Sequence, residues 1–377
     1  MRPEPKVPAV ALAAIRAPFL EAGAERVDPP ILQPLGLLLE LAGEALRARL
    51  FVVQSEGGEE ACLRPDFTAA IARLHLASAA AEGRYYYEGT AFRAAPGGDR
   101  PEEFLQVGLE IYDQGGTPAA GADAEVAALA WRAAAAGGRK DLSLWLGDVA
   151  LFGALIDSLG LAPVLAQRLR RAAARPRLLA AELARAGAEP EAPGSGALAT
   201  RLAGLSETEA AALLEEVWAL AGIEPVGGRG PAEIAQRLVR KAEAARTPAL
   251  SPAQAEAIRA FLAIAAPLDQ ALEAVDEIGG EAPALSAALG GWAERVERLI
   301  RAGAPVERLM FAARLGHTFD YYDGLTFEVR SEALGPERPV AVGGRYDSLP
   351  ARLGGAQTTR AVGAMVRPWR AYAGGEA

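Results

Sequence analysis

Apolar residues recur at helical spacing from Ala9 to Ala22, and Gly23 follows where a C′ glycine would close the helix. The pattern then changes. Arg84–Phe92 and Glu103–Tyr112 are rich in aromatic and β-branched residues, and the loop between them, Ala94 to Pro101, contains Pro-Gly-Gly-Asp-Arg-Pro. That predicts an antiparallel hairpin. Helices are predicted over Ala69–Ala77 and Asp123–Ala136, with a strand at Leu142–Leu146. From 162 to 283 strong helix formers dominate, broken at Gly194-Ser195-Gly196, Gly227-Gly228 and Pro248. This zone reads as a helical insertion. Beyond it come a helix at Ala287–Ala302 and strands at Arg308–Leu315, Tyr321–Arg330, Pro339–Gly343 and Ala361–Val366. Elements fall in runs rather than in strict βαβ alternation, which predicts an α+β fold with a largely antiparallel sheet flanked by helices. The expected division is 1–161 and 284–377 as two parts of one core, with 162–283 inserted.

Strand alternation exposes candidate chemistry. On Glu103–Tyr112, Leu105, Val107, Leu109 and Ile111 share one face; Phe104, Gln106, Gly108, Glu110 and Tyr112 share the other. A glycine between Gln and Glu suits a pocket floor, although a solvated sheet face is the commoner origin of such a pattern. On the preceding strand Arg93 falls in line with Tyr87 and Gly89, placed to offer a bidentate fork to a carboxylate or phosphate. On Tyr321–Arg330 the same reading puts Tyr322, Gly324, Thr326 and Glu328 opposite Leu325, Phe327 and Val329. Asp66 and Thr68 precede a helix, where capping is their ordinary role.

Composition narrows the class. The 377 residues carry 39 Lys and Arg against 48 Asp and Glu, a formal net charge of −9, which disfavours a nucleic-acid partner. A hydrophobic fraction of 51% is ample for a sizeable core. Cys62 is the single cysteine, expected in the core, and His75 and His317 are the two histidines, so neither a disulfide nor a metal site is expected. Met1–Val10 has no apolar h-region and no span approaches 18 apolar residues, so a cytoplasmic chain without a membrane partner is expected. No dinucleotide or P-loop fingerprint is present.

Five ordered segments resemble the catalytic core of class II histidyl-tRNA synthetase. They are Leu63-Arg64-Pro65-Asp66 with Thr68, Tyr87 through Arg93, Gln106 through Glu110, Asp320-Tyr321-Tyr322, and Gly343 through Asp347. Departures are equally specific. His317 stands where active synthetases have an arginine, Arg367-Pro368-Trp369 puts bulk where a nucleotide should lie, and no anticodon-binding domain is expected before Ala377. This combination resembles the synthetase paralogues that act as regulatory subunits of ATP phosphoribosyltransferase. The resemblance implies a non-catalytic chain without cofactor, a hetero-oligomer with the short-form catalytic subunit, self-dimerisation, and feedback by histidine in histidine biosynthesis. It implies a histidine pocket in which Asp66 and Thr68 receive the α-amino group and Arg93 lies near the carboxylate. Gln106 and Glu110 would hold the ligand, Glu110 accepting from the imidazole, with Tyr321 and Tyr322 alongside. Asp66 replaces the synthetases' glutamate. A histidyl-tRNA synthetase-like enzyme and another amino-acid-sensing paralogue are the alternative readings.

Overall fold

The computed structural model describes residues 2–42, 44–54, 58, 60–95, 97, 98, 100–115, 119–173, 176–187, 249–280, 282–315 and 321–375, with isolated positions between 209 and 216. Within these, the strands in chain order are β1 (Glu25–Arg26), β2 (Leu32–Pro34), β3 (Val52–Val53), β4 (Ala61–Leu63), β5 (Gly83–Phe92) and β6 (Glu103–Asp113). They continue with β7 (Leu142–Asp148), β8 (Ala265–Pro267), β9 (Leu309–Ala312), β10 (Leu325–Ser331), β11 (Ala341–Arg345) and β12 (Arg360–Val366). The first helices are α1 (Ala9–Glu21), α2 (Leu35–Ala42), α3 (Thr68–Ser78), α4 (Ala119–Ala136) and α5 (Val149–Ser158). After α6 (Pro163–Ala173) and α7 (Pro176–Ala184) come α8 (Pro252–Ala263), α9 (Leu268–Gly279), α10 (Pro283–Arg301), α11 (Ser348–Arg352) and α12 (Pro368–Ala371).

A nine-stranded sheet, ordered β1-β5-β6-β12-β11-β10-β7-β9-β8, carries the described core; β2, β4 and β3 form a smaller one. Pairing in the large sheet is antiparallel except for β1 with β5 and β7 with β9. The predicted hairpin is β5–β6, running in register from Gly83 opposite Tyr112 to Phe92 opposite Glu103. Helix α1 ends where expected, and Gly23 adopts φ +73°.

Helix α4 packs against α1, α10, β11 and β12, and its buried face is almost all alanine, which lets backbones approach closely. Asp123 on that face is fully buried and accepts from Arg295 Nε (2.8 Å) and Arg345 Nε (2.7 Å). A buried carboxylate is tolerable only when paired like this. On the other face of the sheet, Phe67, Ile71, Tyr85, Tyr87, Phe104, Tyr112 and Tyr346 form an aromatic core under α3. Cys62 is buried, as expected, against α2.

Two compact units result, one of residues 1–158 with 260–377 and one of 159–259. Residues 260–283, read from sequence as insertion, belong to the sheet-bearing unit. The reason is local pairing: β8 adds to the sheet edge beside β9. The glycine breaks at 194–196 and 227–228, with Pro248, lie outside the described residues. A second correction concerns Tyr321–Arg330. The strand starts only at Leu325, because Asp323 N donates to Arg345 O (3.1 Å) and its carboxylate accepts the amides of Asp347 (3.0 Å) and Ser348 (2.6 Å). Tyr321 and Tyr322 therefore stand on a turn wrapped around the end of β11. The strand predicted at Arg308–Leu315 is likewise shorter, ending at Ala312.

Candidate functional site

Strand β6 turns Phe104, Gln106 and Glu110 to the aromatic side of the sheet, where they line a cavity of about 500 Å³. This face is not solvated: Gln106 is 0% and Glu110 1% exposed. Glycine makes the room. A Cβ at Gly108 would overlap the Tyr87 hydroxyl, and one at Gly363, opposite Glu110 on β12, would overlap the Glu110 carboxylate. Asp66, Thr68, Tyr87, Arg93, Tyr321, Tyr322 and Tyr346 also line the cavity.

Local packing explains how the segment before α3 reaches it. Arg64 donates to the carbonyls of Thr90 (2.8 Å) and Pro29 (2.6 Å) and lies 4.0 Å over the Phe67 ring, which stacks on Tyr87 at 4.4 Å. Gly89 leaves space for both side chains. That stack swings Asp66 and Thr68 towards β6. Thr68 begins α3, yet its hydroxyl donates to Glu110 Oε1 (2.9 Å) rather than serving only the helix end.

Glu110 is the electrostatic centre. Burial pushes its carboxyl up to about 8, against the opposing effect of hydrogen bonds from Tyr346 and Thr68, while Asp66 raises it further. Near neutral pH this carboxyl is therefore mostly protonated. Asp66, half-buried in the wall, is also raised by loss of solvent, opposed by Arg93 (Nη2 to Oδ2 3.8 Å) and by the Thr68 amide. Arg93 is fixed by donating Nε to Pro65 O (2.8 Å). Gln106 differs from all of these: both polar atoms of its side chain are buried and have no hydrogen-bond partner within the protein. A buried amide in that state costs about 1–3 kcal/mol unless something pairs with it.

The seven residues singled out from sequence thus meet in one cavity. His317 lies outside the described residues. Sequence reasoning did not assign roles to Tyr87, Phe104, Gly363 or Tyr346. Tyr87 and Phe104 were legible from alternation, since they share a face with Arg93 and Gln106 respectively. Tyr346 lies in the Gly343–Asp347 segment that carried the resemblance, but its role had no local signal, because its contact with Glu110 spans 236 positions.

A largely antiparallel sheet with this cavity at its centre is the architecture of the class II synthetases. The histidyl-tRNA synthetase family model matches residues 8–225 and 231–368. An "ATP phosphoribosyltransferase regulatory subunit/histidyl-tRNA synthetase" from Bacillus halodurans matches in structure with TM-score 0.65 at 23% identity, over 96% of this chain and 77% of that one. A histidyl-tRNA synthetase from Nostoc gives 0.59 at 16%, over 96% and 69%. At these identities the likeness is one of fold. The sequence relatives are closer. An ATP phosphoribosyltransferase regulatory subunit of Brucella anthropi is 36% identical over 355 residues, 93% of each chain. One from Mesorhizobium japonicum is 38% identical over 371 residues, 96% of each. The chain belongs to the ATP phosphoribosyltransferase regulatory subunit family, built on the histidyl-tRNA synthetase fold, and its relatives bear the name of a regulatory, not a catalytic, subunit. Among the described residues no helix is long and apolar enough to cross a membrane.

Proposed function

We propose that the chain binds histidine in the β6 cavity and, assembled with a catalytic ATP phosphoribosyltransferase subunit of the short form, makes that enzyme responsive to histidine. Its place is then the first step of histidine biosynthesis, in a hetero-oligomer that contains self-dimers. The observation that carries the reading is Gln106, a fully buried amide without a partner in the protein, four residues from Glu110 on the same cavity floor. An amino acid brings an ammonium, a carboxylate and a side chain, and each needs a matched group once desolvated. Asp66 and Thr68 suit the ammonium, Arg93 the carboxylate, and Gln106 the remaining polar edge. Glu110, giving up its proton as the ligand enters, accepts from the imidazole N–H, and Tyr321 and Tyr322 close over the ring.

Arg367 supports a regulatory over a synthetase role. Its guanidinium lies 3.7 Å over the Phe104 ring in the cavity wall, covering an aromatic face on which a base could stack. The purified chain is expected to catalyse no histidine-dependent exchange of pyrophosphate into ATP.

The deciding experiment titrates histidine calorimetrically into the complex with the catalytic subunit, using wild type and Glu110→Ala. Loss of one side of a charged hydrogen bond costs about 1.5–3 kcal/mol, so affinity should fall roughly ten- to more than a hundred-fold. Feedback should shift to correspondingly higher histidine while activity without histidine is retained. Unchanged affinity and inhibition would place the histidine sensor elsewhere.

A further inference from the structure

Tyr346 reaches Glu110 from the end of a strand that is anchored on the opposite face of the sheet. Alternation at the end of β11 sends Tyr346 to the cavity and Arg345 to the side of α4. Arg345 is buried there, and its guanidinium is used in three directions. Nε donates to Asp123 (2.7 Å), Nη1 to Asp347 Oδ1 (2.9 Å) and Nη2 to the carbonyl of Ala119 (3.1 Å). Asp347 Oδ1 also accepts the amide of Ala361 (2.8 Å), and the Tyr346 amide donates to Ala361 O (2.8 Å). Arg345 O accepts the amide of Asp323, whose carboxylate holds the amide of Asp347. Tyr346 is thus pinned by the residue before it and the residue after it. The Tyr321–Tyr322 turn is tied to the same two residues.

Two guanidiniums share Asp123, and they differ in what else they hold. Arg295 on α10 donates Nε to Asp123 (2.8 Å) and lies 3.6 Å from Asp148, which also accepts from Trp292 Nε1 (3.0 Å). Removing either arginine takes one partner from a fully buried carboxylate, so both bear on stability. Arg345, unlike Arg295, belongs to the strand end that carries Tyr346. A lysine at 345 would keep the charge but lose the planar fork that reaches three acceptors at fixed angles.

We propose that Arg345 is a positioning residue for the cavity: by bridging Asp123, Asp347 and Ala119 O behind the sheet, it holds the Tyr346 hydroxyl on Glu110 and the Tyr321–Tyr322 turn beside it. Small displacements matter, because a hydrogen bond weakens steeply as its angle and distance leave the favourable range. Asp66, Thr68, Tyr87, Tyr112, Tyr321 and Tyr322 also face the Glu110 carboxyl. The part that runs through Tyr346 is therefore isolated by a double-mutant cycle. The bracing belongs to the empty protein, and its bearing on histidine rests on the binding proposed above.

The test follows the Glu110 titration by carbon NMR in the full ligand-free chain, comparing wild type, Tyr346→Phe, Arg345→Lys, the double variant of these two, and Arg295→Lys. Arg345→Lys should move Glu110 upward by at least half the shift that Tyr346→Phe produces, and the double variant should titrate where Tyr346→Phe does. Arg295→Lys, which disturbs the same Asp123 carboxylate, should titrate as wild type. Histidine titrated calorimetrically into the same proteins at pH 7 should bind Arg345→Lys at least about threefold more weakly, part of the worth of one hydrogen bond. If Arg345→Lys fails to fold, Asp347→Asn, which removes one charge of the bridge at a partly exposed position, should move Glu110 in the same direction. No shift in Tyr346→Phe, a wild-type titration in Arg345→Lys or its Asp347→Asn substitute, an equal shift in Arg295→Lys, or additive shifts in the double variant would each overturn the proposal. A wild-type chain that binds no histidine would overturn the histidine reading alone, since the Glu110 titration needs no ligand.

Discussion

Tyr346 donates its hydroxyl to the Glu110 carboxylate, joining the end of β11 to the middle of β6 across 236 positions of sequence. That bond favours the ionised carboxyl, whereas burial favours the protonated one. Tyr346→Phe should therefore raise Glu110 above its value of about 8 and weaken histidine at pH 7 about three- to tenfold, the worth of one hydrogen bond near 1 kcal/mol. Calorimetry gives the affinity, and carbon NMR of the labelled carboxyl gives its titration. An unmoved titration would detach Tyr346 from the control of Glu110.

The same carboxyl sets a pH dependence of stability. It ionises near 4.5 when unfolded and near 8 when folded. Between those values the folded state holds the extra proton, so this group makes the ligand-free protein less stable as pH rises. From pH 6 to 8 the loss is about 2 kcal/mol. Glu110→Gln, which resembles the protonated form, should remove most of that decline in chemical denaturation at the two pH values. Parallel declines in both proteins would show that Glu110 ionises normally.

Gln106→Leu separates binding from folding. Replacing an unpartnered buried amide by an apolar group of similar size should leave the empty protein as stable or up to about 2 kcal/mol more stable. Histidine affinity should nevertheless fall at least fivefold. Denaturant titration with calorimetry reads both quantities, and a clear loss of stability with histidine affinity intact would make Gln106 a structural residue.

Asp323 does not itself line the cavity but ties the Tyr321–Tyr322 turn to the amides of Asp347 and Ser348. Asp323→Ala should release both amides and let the tyrosines move, lowering histidine affinity several-fold. The carbonyl oxygen of Asp323→Asn can keep one of the two bonds, so affinity should recover in part. Tyrosine fluorescence quenching, which a change in global stability alone would not alter, should rise in the alanine variant. Equal quenching in all three proteins would contradict the assignment.

Local periodicity was enough to place several features. The β5–β6 hairpin, the helix ending before Gly23, and the shared face of Gln106 and Glu110 follow from the three-to-four-residue and two-residue repeats of the chain itself. Five ordered segments also carried the family resemblance, since they hold the residues that meet in the cavity. Alternation says which side chains share a face, not what covers it, so sequence could not tell a pocket floor from a solvated surface. Burial of that face depends on α3 and on the Arg64–Phe67–Tyr87 stack, contacts made only when distant segments pack.

The turn at Tyr321–Asp323 and the Tyr346–Glu110 bond were hidden for the same reason. An aromatic run such as Tyr321-Tyr322 has strand propensity, and the propensity loses here to three hydrogen bonds between Asp323 and residues more than twenty positions away. Charge behaved likewise. Sequence fixes an overall excess of acids, but the arginines of the cavity wall come together only because β6, β12 and the segments after β5 and before β3 converge. Coulomb energy depends on distance in space, and a chain read residue by residue contains only distance along itself.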